Sequence, residues 1–336
     1  MKTSLTLSLV LVTFMLIGQH TFSIVAVDTI SGEIGSAGAT CLTSADCNGC
    51  GGAVIISELI PGLGAVNAQA TVCIPNVNAT LISDQLRAGL NATSALNLVL
   101  ANDQCQFGTP ADRQYGIVSF IDGVLDVASY TGDGALSHAG HRTGVDYSIQ
   151  GNILLGPEIL DSMEARFIRS EGMFLKDRLM EAMQGANVVG ADSRCAPDGL
   201  SSKSSFLRVA FATDTEGEPY AEAIVESTDP GVDPIDSLQT LVNDLTVVII
   251  NVNEEDLIDY TISPNPTSDQ LTLTQDENEI IQHYRITSLN GKEVGKGSVG
   301  QSVTVQVDTY NEGVYFIQLM DQSKTVLITD KVIIQR

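Results

Sequence analysis

Short β-rich runs and amphipathic helical stripes alternate in pairs along the first three quarters of this chain, and that order most limits what it can fold into. Residues 22–27 and 34–40 flank the turn signal Ser31-Gly32-Glu33 and read as a hairpin, with a further strand at 64–73. Leu81, Ile82 and Leu86 then share one helical face closed by Gly89, and Asn91 caps a second helix carrying Ala95, Leu96, Val99 and Leu100. Strands are expected at 115–120 and 124–130. Gly156-Pro157 opens another helix, since proline suits the first helical position. Its stripe is Ile159, Leu160, Met163 and Phe167, and Leu175, Leu179, Met180 and Met183 form the next before Gly185. Strands at 206–213 and 221–226, a helix at 235–242 and a strand at 246–252 complete the series. Strand pairs between helix pairs exclude an all-β fold and a helical bundle. They suit an α+β fold with two sheets faced by two helical layers, an αββα sandwich, without selecting it over other α+β folds.

The N-terminus adds an address. Lys2 followed by a mostly apolar run over 5–17 and the small Gly18 has the form of a secretory signal peptide, placed at 1–18. No run approaches the roughly 20 apolar residues needed to cross a bilayer, so no transmembrane segment is expected. A formal net charge of −24 disfavours attraction to nucleic acid or to an anionic membrane.

Export also bears on the cysteines. Cys41, Cys47, Cys50, Cys73, Cys105 and Cys195 form an even set in an oxidising compartment and read as disulfides, with fifteen pairings open. Zinc held by Cys41, Cys47, Cys50 and Cys73 is the competing reading. His138 and His141 lack a neighbouring third ligand in sequence. Asp229, Asp233 and Asp236 suit a solvated acidic surface or a hard cation, without an EF-hand loop. No metal and no cofactor is expected.

A polar boundary at 251–259 separates the first domain, 21–250, from residues 260–336. There TISPNPTSDQLTLT, LNGKEV, NEGVYFIQLM and KVIIQR describe short strands and turns, with Asn290-Gly291 a hairpin signal. The order of these blocks resembles the C-terminal type A sorting domain of the type IX secretion system of Bacteroidetes. That resemblance implies a small all-β sandwich, handling by the type IX machinery, and a protein released or attached at the cell surface. In that setting the sequons at Asn78 and Asn91 read as turn and capping residues.

Further blocks, TFSIVAVDTISGEIG, GHRTG, YSIQGNILLGPEILDSMEARF, GANVVGADSRC and SSFLRVA, occur in an order that resembles the domain of unknown function 1028 family. That family is grouped with N-terminal nucleophile (Ntn) hydrolase-like proteins. The resemblance implies an Ntn-hydrolase-like αββα fold and puts Thr21 where the superfamily places its nucleophile. Thr21 serves either as that nucleophile or simply as a strand start, because Gln19 and His20 precede it after cleavage behind Gly18. The Lys and Asp that accompany Thr nucleophiles elsewhere are missing from EIGSAGATC. His141 is a candidate acid or base, and Arg142 a candidate carboxylate holder, in a glycine-flanked loop. Gln150 and Asn152 are candidate oxyanion donors or structural amides. Asp192 and Arg194 form a salt bridge or bind substrate. The expected function is an exported amide-bond hydrolase acting on peptides or cell-wall material. The alternative is a catalytically silent protein of the same fold that binds a small ligand or a surface glycan; the expected partner is otherwise a small-molecule or peptide ligand.

Overall fold

A computed structural model describes residues 18–19, 21–245, 260–275, 280–288, 292–322, 324 and 326–336. The apolar leader, the boundary at 251–259, the strand expected at 246–252 and the Asn290-Gly291 turn lie outside the described residues, save for Gly18. The chain divides into two compact units, residues 1–247 and 248–336.

In the first unit the first described elements are β1 (Gly18–Gln19), β2 (Thr21–Asp28), β3 (Glu33–Thr40), β4 (Ser57–Ile60) and β5 (Gly64–Thr71). Helices α1 (Val77–Arg87) and α2 (Ala92–Ala101) follow, then β6 (Arg113–Ile121), β7 (Val124–Thr131), β8 (Gly140–Thr143) and β9 (Tyr147–Gly151). The unit ends with α3 (Glu158–Arg169), α4 (Leu175–Gly185), β10 (Ser204–Ala210), β11 (Ala221–Val225) and α5 (Pro234–Asp244). One antiparallel sheet has the order β1-β5-β6-β7 with β4 beside β5, and the other runs β11-β10-β3-β2-β9-β8.

Alternation along each strand explains the layers, because successive side chains point to opposite faces. On β2, Phe22, Ile24 and Ala26 join Phe167, Leu179, Met183 and Leu238 in a core beneath α3, α4 and α5. On the other sheet, Val66, Tyr115 and Ile117 pack under Ile82, Leu86, Leu96 and Val99 of α1 and α2. The opposite faces of the two sheets meet through Val25, Val27, Ile34, Leu59, Ala65, Val118 and Ala210. Asn91 caps α2 by accepting from the Ser94 N–H, as expected. Asn78 is no turn residue: it is buried inside α1 and donates to Tyr115 and Asp103.

The Gly140–Thr143 segment, read from its glycines and polar residues as a loop, is instead a short edge strand paired with β9. Neither of its faces is fully buried, so it carries no apolar alternation to betray it.

Disulfides join Cys41 to Cys195, Cys47 to Cys50 and Cys73 to Cys105. This pairing removes the thiolates that zinc would require. Asp233 caps α5 and accepts from the Ser201 N–H and hydroxyl, while Asp236 accepts from Asn187. Structural hydrogen bonds thus engage two of the three aspartates considered for a hard cation. The fully buried Arg113 is ion-paired to Asp103 at 3.0 Å, which compensates a charge that would be costly alone.

The second unit is all β. Strands β12 (Tyr260–Ser263), β13 (Gln270–Gln275) and β16 (Ser302–Gln306) make one sheet. β14 (His283–Ser288), β15 (Glu293–Ser298), β17 (Gly313–Met320) and β18 (Val326–Ile334) make the other. Leu271, Leu273, Tyr284, Ile286, Ile317 and Leu319 form its core. Among the described residues no helix is long and apolar enough to cross a membrane.

Candidate functional site

The face of β2 that looks toward the other sheet changes character along its length: Thr21 and Ser23 come first, Val25 and Val27 after. All four are fully buried, so one end of the layer between the sheets is polar and the other apolar. Buried polar groups are costly unless hydrogen-bonded, and this end is densely bonded. Ser23 donates to Gln69 Oε1 at 2.6 Å and accepts from Gln150 Nε2 at 2.6 Å. Gln69 Nε2 donates to the Thr21 carbonyl at 3.0 Å and to Gln114 Oε1 at 2.7 Å. Gln114 Oε1 also accepts from Asn152 Nδ2 at 3.0 Å, and Gln114 Nε2 reaches Thr131 Oγ1 and the carbonyls of Gly140 and Gly151.

Register gathers the other groups at this end. Thr40 stands opposite Thr21 on β3, and Ser204 stands opposite Thr40 on β10. Paired residues of neighbouring strands share a face, so all three look between the sheets. Arg194 donates to Thr40 Oγ1 at 3.3 Å and to the buried Asp192 at 2.6 Å. Asp192 also accepts from the Cys41 N–H at 2.9 Å, next to the Cys41–Cys195 bridge. The Asn152 N–H donates to the Thr21 carbonyl at 3.1 Å. Thr21, Asn152, Asp192 and Arg194, far apart in sequence, therefore meet at one place.

His141 and Arg142 separate. His141 pairs with Gln150 in register and so faces the inter-sheet layer, whereas Arg142 pairs with Ile149 and faces α3. Arg142 is ion-paired to Asp161 of α3 at 2.6 Å. His141 Nδ1 lies 2.9 Å from Thr131 Oγ1 at the open edge between β7 and β8, where Ser129 and Thr143 also meet. A chain of hydrogen bonds therefore runs from His141 through Thr131, Gln114 and Gln69 to the Thr21 carbonyl. Although the residue is exposed, part of its ring is shielded; this shielding, and secondarily the Arg142 charge, holds its pKa below the ordinary value.

We expect an NMR titration of His141 to give a midpoint below 6.5, rising in Arg142→Gln. A depressed folded-state pKa contributes stability at pH above the unfolded value, lost as pH falls through the folded one. A midpoint at or above 6.5 would contradict this assignment.

Gln69, Gln114 and the role of Thr40 were not foreseen. One local signal lay two residues beyond Gln114 on β6: Gly116, where a Cβ would lie 1.9 Å from Gln150 Oε1. A glycine inside a strand marks such a close approach. A cavity of about 220 Å³ opens beyond the end of β3, lined by Thr43, Asp198, Leu200, Lys203 and the turn from Thr228 to Gly231. The one cluster of potential metal-ligating side chains among the described residues is Cys41, Cys195 and Asp198, and its two sulfurs are already bonded to each other.

A four-layered domain with a buried cluster of amides and hydroxyls between its sheets, joined to an all-β tail, is thus the class that fold and site define. The family of unknown function DUF1028 matches residues 21–238, and a secretion system C-terminal sorting domain matches residues 261–335. The chain belongs to the DUF1028 family. The crystal structure of protein SPO2555 from Silicibacter pomeroyi, also matched by that family model, is similar at 20% identity with a TM-score of 0.50. The similarity covers 67% of this chain and 88% of that one. No curated protein matches the sequence. The tail marks the protein for handling by the type IX machinery and for the cell surface or the exterior.

Proposed function

We propose that the first unit is an Ntn-hydrolase-like domain that hydrolyses an amide bond in a peptide or in cell-wall material, after removal of the residues before Thr21. The observation that carries this reading is the convergence of Thr21, Thr40, Asn152, Asp192 and Arg194 at the polar end of the inter-sheet layer. The family match beginning at Thr21 supports it. So does the path of the chain: β1 pairs with β5 in one sheet, while β2 pairs with β3 and β9 in the other. Cleavage between the two would open the polar end of the layer.

In the uncut chain the Thr21 nitrogen is an amide and cannot take a proton. Cleavage before Thr21 gives it an α-amine, whose ordinary pKa of about 7.7 to 8.0 suits a base near neutrality. The hydroxyl then loses its proton to that amine as it attacks the carbonyl carbon. The resulting ammonium protonates the departing amine as the C–N bond breaks, and a water, giving its proton to the α-amine, attacks the ester and frees Oγ1. Asn152, whose side-chain amide also donates to Gln114, is the candidate oxyanion donor beside Thr21, with Gln150 opposite Ser23 two residues along β2. Arg194, steadied by Asp192, offers a cation for a substrate carboxylate, and His141 lies at the entrance. Arg142 steadies β8 from the opposite face through Asp161.

The competing reading is a silent ligand-binding protein. It is favoured by Gln69, Gln114 and Gln150, which spend their carboxamides on protein partners and make a rigid wall. N-terminal mass spectrometry of the exported protein separates the two. We expect a chain beginning at Thr21; a chain beginning only at Gln19 would remove the nucleophile.

A further inference from the structure

The acidity of the chain makes one feature of the tail stand out. Three of the six Lys and Arg residues between 260 and 336, Arg285, Lys296 and Lys324, line a single cavity of about 450 Å³ together with His283. Register places much of it on the outer face of the four-stranded sheet. Tyr284 and Ile286 point into the core, so Arg285 and His283 point away from it. Arg285 stands directly between Lys296 of β15 and Gln318 of β17, and His283 between Ser298 and Met320.

Two like charges opposite each other across an antiparallel pair are destabilising. Lys296 is compensated by Glu293 at 2.7 Å, but Arg285 Nε donates to the neutral Gln318 Oε1 at 2.9 Å. Among the described residues Arg285 has no carboxylate partner, and neither has Lys324. With Glu293 as the one acid in the lining, the side chains leave a net positive charge of about two. A phosphate monoester, carrying about −1.5 to −2 at neutral pH, complements that charge. A guanidinium already oriented by a side-chain amide suits its oxygens. The cavity falls within the range of small-molecule sites and exceeds what phosphate alone would fill. Ser298 offers a hydroxyl and Met320 an apolar edge to the rest of the ligand.

We propose that this face of the tail binds a phosphate monoester of a polar organic group, with sugar phosphates the class that charge and volume fit. The test is calorimetric titration of the full chain with glucose 1-phosphate and with inorganic phosphate, alongside sedimentation with phosphatidylcholine vesicles containing phosphatidate. Saturable binding of glucose 1-phosphate that weakens with salt is expected. The Arg285→Gln/Lys296→Gln double variant should weaken it by about tenfold or more. Lys331→Gln, on the same face but outside the cavity, should leave it unchanged. If the double variant does not fold, Lys324→Gln takes its place, with an expected loss of about threefold or more. Four results would overturn the assignment: no saturable binding, binding unchanged in a folded cavity variant, an equal loss in Lys331→Gln, or inorganic phosphate bound as tightly as the sugar phosphate. Capture by the vesicles without binding of soluble glucose 1-phosphate would overturn it in favour of a lipid surface.

Discussion

Thr21→Ala is expected to reduce amide hydrolysis by about a thousandfold or more, the scale on which enzymes lose activity when their nucleophile is removed. The substitution deletes one hydroxyl and one methyl at a fully buried position, so folding should persist with a loss of about 1 to 2 kcal/mol. Thr21→Ser keeps the hydroxyl and should keep measurable turnover. The assay is a panel of dipeptidyl coumarin amides and muropeptides, read against the protein purified from the exterior, with circular dichroism as the folding control. Turnover by Thr21→Ala equal to that of the parent would place the chemistry elsewhere. Loss in both Thr21→Ala and Asn152→Ala, with stability retained, would instead join the nucleophile to its oxyanion donor.

The second large effect concerns stability. Each disulfide restricts the unfolded chain according to the loop that it closes. Cys41–Cys195 spans 154 residues, Cys73–Cys105 spans 32 and Cys47–Cys50 spans 3. Chain entropy alone gives about 5, about 4 and about 2 kcal/mol for the three bridges in that order. Serine pairs at 41/195, 73/105 and 47/50 should therefore lose stability in that sequence when followed by guanidinium denaturation. The 41/195 pair has a local effect as well, because Cys41, at one end of the bridge, donates its N–H to Asp192, whose partner Arg194 meets Thr40. A Cys41→Ser/Cys195→Ser protein should lose activity at temperatures where it is still folded. A 47/50 variant more destabilised than the 41/195 variant would show that loop closure does not set the ranking.

The elements that the sequence revealed are those whose apolar residues repeat. The stripes of α3 and α4 and the strand pairs β2–β3, β6–β7 and β10–β11 each announce themselves because burying one face requires a 3.6- or 2-residue period. Strand β8 was hidden since it is mostly polar and neither of its faces is fully buried. In β2 the sequence also carried a finer message: Thr21, Ser23, Val25 and Val27 occupy one face, so the polar and apolar ends of the inter-sheet layer are written in a single strand.

The site itself depended on position in space. Thr21, Asn152, Asp192 and Arg194 are legible as polar residues in distinct blocks, but their meeting is made by pairing of β2 with β3 and β9 and by the bridge from Cys41 to Cys195. His141 and Arg142 are neighbours in sequence with equal claims to a cleft. Strand alternation sends one toward the Thr21 side of the sheet and the other to α3. Export, sorting and family membership reside in short contiguous blocks, which a linear sequence states directly. Cysteine pairing, the parity of β8 and the buried amide network depend on which distant strands become neighbours, and a linear sequence does not fix that until the chain has packed.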